Sequence, residues 1–212
     1  GRLFVSTREG RLYTFGAKEI AQPVAHAKPS APPKAATEQA LAITKTAKTD
    51  GGYCLVLGLK DGALAEALAE KFTVIAIDSN VARVNALRRS LHERGIYGSK
   101  ISVHVGDPLT YSFPPFIANL VVTETPRRFT AEAGAGSFQN IFHTLRPYGG
   151  TACLPIPKMA REPWKQTAAD TQTSQITEKG KWLLLARTGP LPEAADWSHA
   201  GGGAGNTGAS DD

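Results

Sequence analysis

Apolar residues fall along this chain in short uncharged runs and in segments where they recur every three or four positions. The runs Cys54–Leu57 and Thr73–Ile77 contain no charged residue and predict strands buried on both faces. Ile101–Val105, Phe116–Thr123, Thr151–Pro155 and Lys181–Arg187 predict further strands, the last with consecutive apolar residues that again imply burial on both faces. Between the strands the spacing turns helical. Leu64, Ala65 and Leu68 share one side of a predicted helix over Ala63–Lys71, with Glu66 and Glu70 on the other. Val81, Val84, Leu87 and Leu91 predict a helix over Val81–Arg94, stopped by Gly95, with Arg83, Arg88, Arg89 and Arg94 as its solvated face. Phe138, Ile141/Phe142 and Leu145 mark a helix within Gly134–Arg146, and Thr37 is placed to cap a weaker one over Thr37–Lys48. Strands alternating with helices predict an α/β domain over residues 37–188, with a mostly parallel central sheet and helices on both faces.

The flanks differ in character. Residues 1–16 predict a β-hairpin, with Leu3 and Val5 before a turn at Glu9-Gly10 and Leu12, Tyr13 and Phe15 after it. A lone hairpin is marginal in water, so it needs something to pair with. Residues 17–36 are rich in Ala, Pro and Lys and read as a linker in which Pro29, Pro32 and Pro33 preclude a helix; His26 within it is solvated. Residues 158–175 are polar and read as helix or loop without identifiable chemistry. The tail, 189–212, is Gly-rich and too poor in apolar residues to fold alone.

Composition narrows the function. A hydrophobic content of 42% suits a globular core, and no apolar stretch approaches the roughly 20 residues that span a bilayer. The net charge of +5 is not a nucleic-acid signature once located. Residues 1–48 hold eight Lys/Arg against three Asp/Glu, while the remainder, 49–212, holds 16 of each sign, so the surplus lies in the leader. Cys54 and Cys153 each lie in a predicted buried strand, with no C-x-x-C pair and no metal-ligand spacing. His104, alternating with Val103 and Val105, reads as structural. The chain starts at Gly1 rather than Met, as expected of a fragment or a processed product.

The candidate chemistry lies in Tyr53–Asp78: strand, glycine turn, helix, strand, acid. This is the opening of a nucleotide-binding α/β unit, with the glycine loop and the acid separated by the usual reach from phosphate loop to ribose. The loop reads Gly58-Leu59-Lys60-Asp61-Gly62 and has no third glycine in G-x-G-x-x-G spacing, which disfavours a nicotinamide-dependent dehydrogenase. It resembles instead motif I of class I S-adenosylmethionine-dependent methyltransferases, hydrophobic-Asp-hydrophobic-G-x-G-x-G. Gly58 and Gly62 match the first and third glycines, Lys60 replaces the second, and Val56 stands at the acidic position. A second resemblance is Leu145-Arg146-Pro147-Tyr148-Gly149-Gly150 before a strand, similar to the family's Leu-[Lys/Arg]-Pro-x-Gly-Gly turn.

The resemblance implies a Rossmann-like methyltransferase fold with S-adenosylmethionine as cofactor. It places Gly58, Leu59, Lys60 and Gly62 at the methionine part, Asp78 with Ser79 at the ribose, and Asp107 with Pro108 at the adenine. Glu124, at the end of the fourth strand, would be a substrate contact. Asp78 has an alternative role as a helix N-cap, and Glu124 as an exposed strand-end residue. The Asn/Asp-Pro-Pro-aromatic motif of amino-methylating enzymes is absent at Glu124-Thr125-Pro126, which disfavours DNA adenine or protein glutamine as acceptor. A small-molecule acceptor is preferred; no catalytic residue and no metal is assigned. The flanks resemble pyrroloquinoline-quinone-type β-propeller proteins: residues 1–16 match a blade repeat, and Asp196-Trp197 with Gly205-Asn206-Thr207 resembles another propeller segment. That resemblance implies a domain within a propeller polypeptide, the rest of which would be its partner. It also raises the alternative of a catalytically inactive insert serving as scaffold or interaction module. Location follows whichever resemblance governs: cytoplasmic if the cofactor is used, exported if the propeller sets it.

Overall fold

The computed structural model describes residues 2–7, 12–16, 31–126 and 134–191. The Glu9-Gly10 turn, most of the linker, and Asp196, Trp197 and Gly205–Thr207 of the tail lie outside the described residues. Strands β1 (Arg2–Ser6) and β2 (Leu12–Gly16) form an antiparallel two-stranded sheet, as the alternation predicts. All ten of their residues are exposed, including Leu3, Phe4, Tyr13 and Phe15.

Helix α1 (Lys34–Ala47) begins earlier than Thr37, because Pro33 itself is the N-cap. The prolines end there, and a missing N–H costs nothing where the helix has no partner for it. Next come β3 (Gly52–Leu57), α2 (Ala63–Leu68), β4 (Phe72–Asp78), α3 (Val81–Glu93) and β5 (Ile101–Val105). After these follow β6 (Leu120–Val122), α4 (Gly134–Thr144), β7 (Thr151–Leu154), α5 (Arg161–Ala169), β8 (Ser174–Lys179) and β9 (Trp182–Arg187). The strand predicted from Phe116 starts only at Leu120. Phe116 has φ of 59°, a left-handed conformation that a strand cannot contain.

The seven-stranded sheet has the order β5-β4-β3-β6-β7-β9-β8. Strands β3 to β7 run parallel, β9 pairs antiparallel to β7, and β8 antiparallel to β9. Alternate residues of each central strand enter two separate cores. Cys54 and Val56 of β3, Leu120 and Val122 of β6, and Trp182 and Leu184 of β9 pack with α1, α2 and α3. Leu55 and Leu57, Val121, and Leu183 and Leu185 pack on the opposite face with α4 and α5. Runs that are apolar at every position are what a sheet covered on both faces requires.

Strand β8, which begins at the end of the polar stretch 158–175, was not legible in the sequence, since only Ile176 of SQITEK is apolar. An edge strand with exposed residues needs little more, and charge there also deters edge pairing. It is clamped by Arg161, a buried residue whose Nη1 donates to Glu178 at 2.5 Å and whose Nη2 donates to the Lys181 carbonyl at 3.0 Å. Lys165, and then Arg161, hold the Glu178 carboxyl below its ordinary value of 4.5. A lowered folded-state value stabilises the fold fully above pH 4.5, and that contribution is lost as pH falls through the lower folded value. Glu178→Gln is therefore expected to flatten the acidic limb of stability below pH 4.5 and leave stability at pH 7 reduced. Urea midpoints across that range check it; an unchanged limb would remove Glu178 from the account.

Candidate functional site

In an open parallel sheet, ligands settle outside the carboxyl ends of the strands where the order reverses. Here that point lies between β3 and β6, and two segments meet there: the loop Gly58–Gly62 after β3, and Thr123-Glu124-Thr125 after β6. The loop is shaped by two glycines with positive φ, Gly58 at 85° and Gly62 at 83°. A Cβ on Gly58 would stand 2.0 Å from Thr125 Oγ1, and one on Gly62 2.7 Å from Leu87 Cδ2, so both positions also need the space. Lys60, at the second-glycine position of the motif, is not among the residues with positive φ, and it is exposed. That position requires neither the conformation nor the room of glycine.

Glu124 is not an exposed strand-end glutamate. It is half-buried, and its carboxylate lies across the loop. Oε2 accepts from the backbone N–H groups of Lys60 at 2.7 Å, Gly62 at 3.0 Å and Asp61 at 3.3 Å. Oε1 accepts from Leu64 at 3.0 Å and Ala65 at 3.2 Å. These are the loop amides together with the otherwise unpartnered amides of the first turn of α2, where the positive end of the helix dipole lies. The backbone closes the same contact, the Glu124 N–H donating to the Gly58 carbonyl at 3.2 Å. Thr123 bends the strand end, its Oγ1 accepting from the Thr125 N–H at 2.9 Å.

Asp78, at the end of β4, is 0% exposed and its carboxylate is fully engaged. Oδ2 accepts from the Leu59 N–H at 2.8 Å, Oδ1 from the Asn80 N–H at 2.7 Å, and Nη1 of Arg83 reaches both at 3.0 and 3.1 Å. The same Arg83 nitrogen donates to the Leu59 carbonyl at 2.9 Å. The cap of α3 is Asn80, whose side chain accepts from the Arg83 N–H, and not Asp78 or Ser79. Arg83 is thus a clasp between loop, strand and helix, not part of a solvated face. Arg88 donates to the Val103 carbonyl and Arg94 pairs with Glu66 through both guanidinium nitrogens, which leaves Arg89 exposed as predicted.

The remaining candidates lie on the neighbouring strand end. Asp107 follows β5, is exposed, and heads a turn in which its Oδ1 accepts from the Leu109 N–H at 2.9 Å; Pro108 is buried. The Gly106 N–H donates to the Asp78 carbonyl at 3.1 Å, which joins the two strand ends. Leu59 is buried in the core, Ser79 is exposed beside Asp78, and Val56 at the motif's acidic position is fully buried among apolar residues. Beside the loop opens a cavity of about 230 Å³ lined by residues including Pro33, Gln39, Lys60, Asp61 and Glu124. Burial pushes the Cys54 thiol far above its ordinary range and that of Cys153 up to about 12, so neither is a nucleophile. Among the described residues, no cluster of His, Cys, Asp and Glu could hold a metal ion, and no helix is long and apolar enough to cross a membrane.

The donor set offers a direct test of the expected cofactor. Glu124 stands in for a ligand carboxylate, and five N–H groups at 2.7–3.3 Å satisfy it. The loop therefore fits the carboxylate of an amino-acid moiety, with Glu124 holding those donors in this arrangement. Asp78, the expected ribose acid, is fully buried in this arrangement, while the side chain of its partner Arg83 is 38% exposed.

Solved structures with this fold are numerous. A candidate S-adenosyl-L-methionine-dependent methyltransferase from Methanococcus maripaludis superposes with a TM-score of 0.55 at 18% identity, covering 76% of this chain and 87% of that one. A methyltransferase from Geobacter sulfurreducens gives 0.51 at 15% identity, covering 71% and 76%. Geranyl diphosphate methyltransferase, solved in complex with S-adenosylmethionine, gives 0.50 at 14% identity, covering 71% and 83%. At these identities the likeness is one of fold, and the domain has the Rossmann-like methyltransferase fold. No family model and no curated protein matches the chain.

Proposed function

We propose that this chain is an S-adenosylmethionine-dependent methyltransferase domain acting on a small-molecule acceptor. The observation that carries this reading is the set of five backbone N–H groups converging on one carboxylate at the switch point of the sheet. When bound, the cofactor supplies an electrophilic methyl group on a sulfonium centre. The chain's own residues then have three tasks. Lys60, Asp61, Gly62, Leu64 and Ala65 hold the carboxylate through their amides. Asp78, once released by Arg83, accepts from ribose hydroxyls, with Ser79 beside it. Asp107 and Pro108 border the adenine. Positioning of this kind supplies most of what an in-line displacement needs, so no nucleophile from the protein is assigned.

A second reading is supported by Glu124 itself. A carboxylate that never leaves the loop would make the domain a catalytically inactive scaffold or interaction module. The exposed apolar residues of β1 and β2 support a partner for the hairpin, which in the propeller reading is the rest of a longer polypeptide.

Calorimetric titration with S-adenosylmethionine and S-adenosylhomocysteine separates the two. Measurable binding is the expected result, retained in Lys60→Gly because Lys60 does not strain the loop and weaker there to the extent that its ammonium receives the displaced Glu124. A folded protein that binds neither ligand, with Glu124 present or removed, would leave the scaffold reading.

A further inference from the structure

The contact between Glu124 and the loop has a direct chemical consequence for any ligand carried by that loop. We infer that Glu124 is an intramolecular competitor for the ligand carboxylate and sets the affinity of the site for carboxylate-bearing ligands. The inference rests on the proposed cofactor reading and adds to it a residue that discriminates among ligands.

The donors cannot be shared. Both oxygens of Glu124 are in use, and the five amides of Lys60, Asp61, Gly62, Leu64 and Ala65 are each directed at them. A second carboxylate entering the loop would find no free N–H among these five, and it would meet a like charge at close range. Ligand binding must therefore displace Glu124. Being tethered, Glu124 competes at a high effective concentration, whereas the incoming ligand is dilute.

The surroundings provide somewhere for it to go. Glu124 is half-buried rather than sealed in, and it lines the cavity of about 230 Å³ beside the loop. Lys60 lines the same cavity and offers an ammonium group to a displaced carboxylate. The backbone contact from the Glu124 N–H to the Gly58 carbonyl does not depend on the side chain, so the strand end stays docked while the carboxylate swings. Lys60 thereby acquires a role at the position where the motif has glycine: it is the second partner for Glu124.

The test compares a ligand with a carboxylate to one without. S-adenosylhomocysteine carries the amino-acid moiety, and 5′-methylthioadenosine lacks it. The expected result is that Glu124→Ala binds S-adenosylhomocysteine about tenfold or more tighter than wild type. Its affinity for 5′-methylthioadenosine should stay unchanged, and Glu124→Gln, which keeps the shape and a carbonyl acceptor, should show a smaller gain. Glu124→Gln also guards against misfolding of the alanine variant. If S-adenosylhomocysteine binds wild type and both variants equally, the competition is overturned while the cofactor reading stands. If the folded variants bind neither ligand, the cofactor reading fails and the competition with it.

Discussion

Asp78→Ala is expected to lower the free energy of unfolding by about 2–3 kcal/mol, because it strands charge-assisted donors in a dry site. The carboxylate is 0% exposed and accepts from the Leu59 and Asn80 amides and from Arg83. Removing it leaves a buried N–H at Leu59 without its acceptor and takes the ion-pair partner from Arg83. Full burial would argue for a larger loss, but the 38% exposure of the Arg83 side chain lets water recover part of its charge interaction. Arg83→Met should cost at least as much, because it leaves the fully buried Asp78 carboxylate without its cation. Urea denaturation with unchanged slope measures both. A loss under about 1 kcal/mol for Asp78→Ala would mean that water reaches the donors left behind.

Gly62→Val should cost about 3 kcal/mol, through two independent effects. A β-branched residue at φ of 83° is strained by roughly 1–2 kcal/mol, and its Cβ would fall 2.7 Å from Leu87 Cδ2 in a packed core. Gly62→Ala should cost somewhat less, since it keeps the clash and the left-handed strain and removes only the branching. Because α3 carries Leu87 and also Arg83, the displacement should reach the Asp78 clasp as well. A Gly62→Val protein as stable as wild type would show that the loop can rotate out of its left-handed conformation without harm.

The fold was legible because covering a sheet on both faces leaves no polar positions in its central strands. Cys54–Leu57 and the run through Trp182–Leu185 announce themselves that way. Strand β8 did not, since an edge strand with one apolar residue has no pattern to display. The glycines of the loop were legible as well, because Gly58 and Gly62 answer to local backbone conformation. The role of Glu124 was not, since nothing in Val-Val-Thr-Glu-Thr-Pro marks it and its partners are amides far away in the chain. Arg83 misled for a related reason. At two positions into a helix it reads as solvated, and only the fold brings Leu59 within its reach.

The distance between Glu124 and its amides also orders the assembly of the molecule. Lys60 and Glu124 are 64 positions apart, and Tyr53 meets Asn119 across 66. Strands β3 and β4 pair across a much shorter span, and contacts close in sequence cost less chain entropy to form than distant ones. The loop therefore first exists with its amides facing water, and it gains its carboxylate only when β6 docks beside β3. During synthesis from the amino terminus, the half of the domain that carries the glycines is made before the segment that carries the carboxylate.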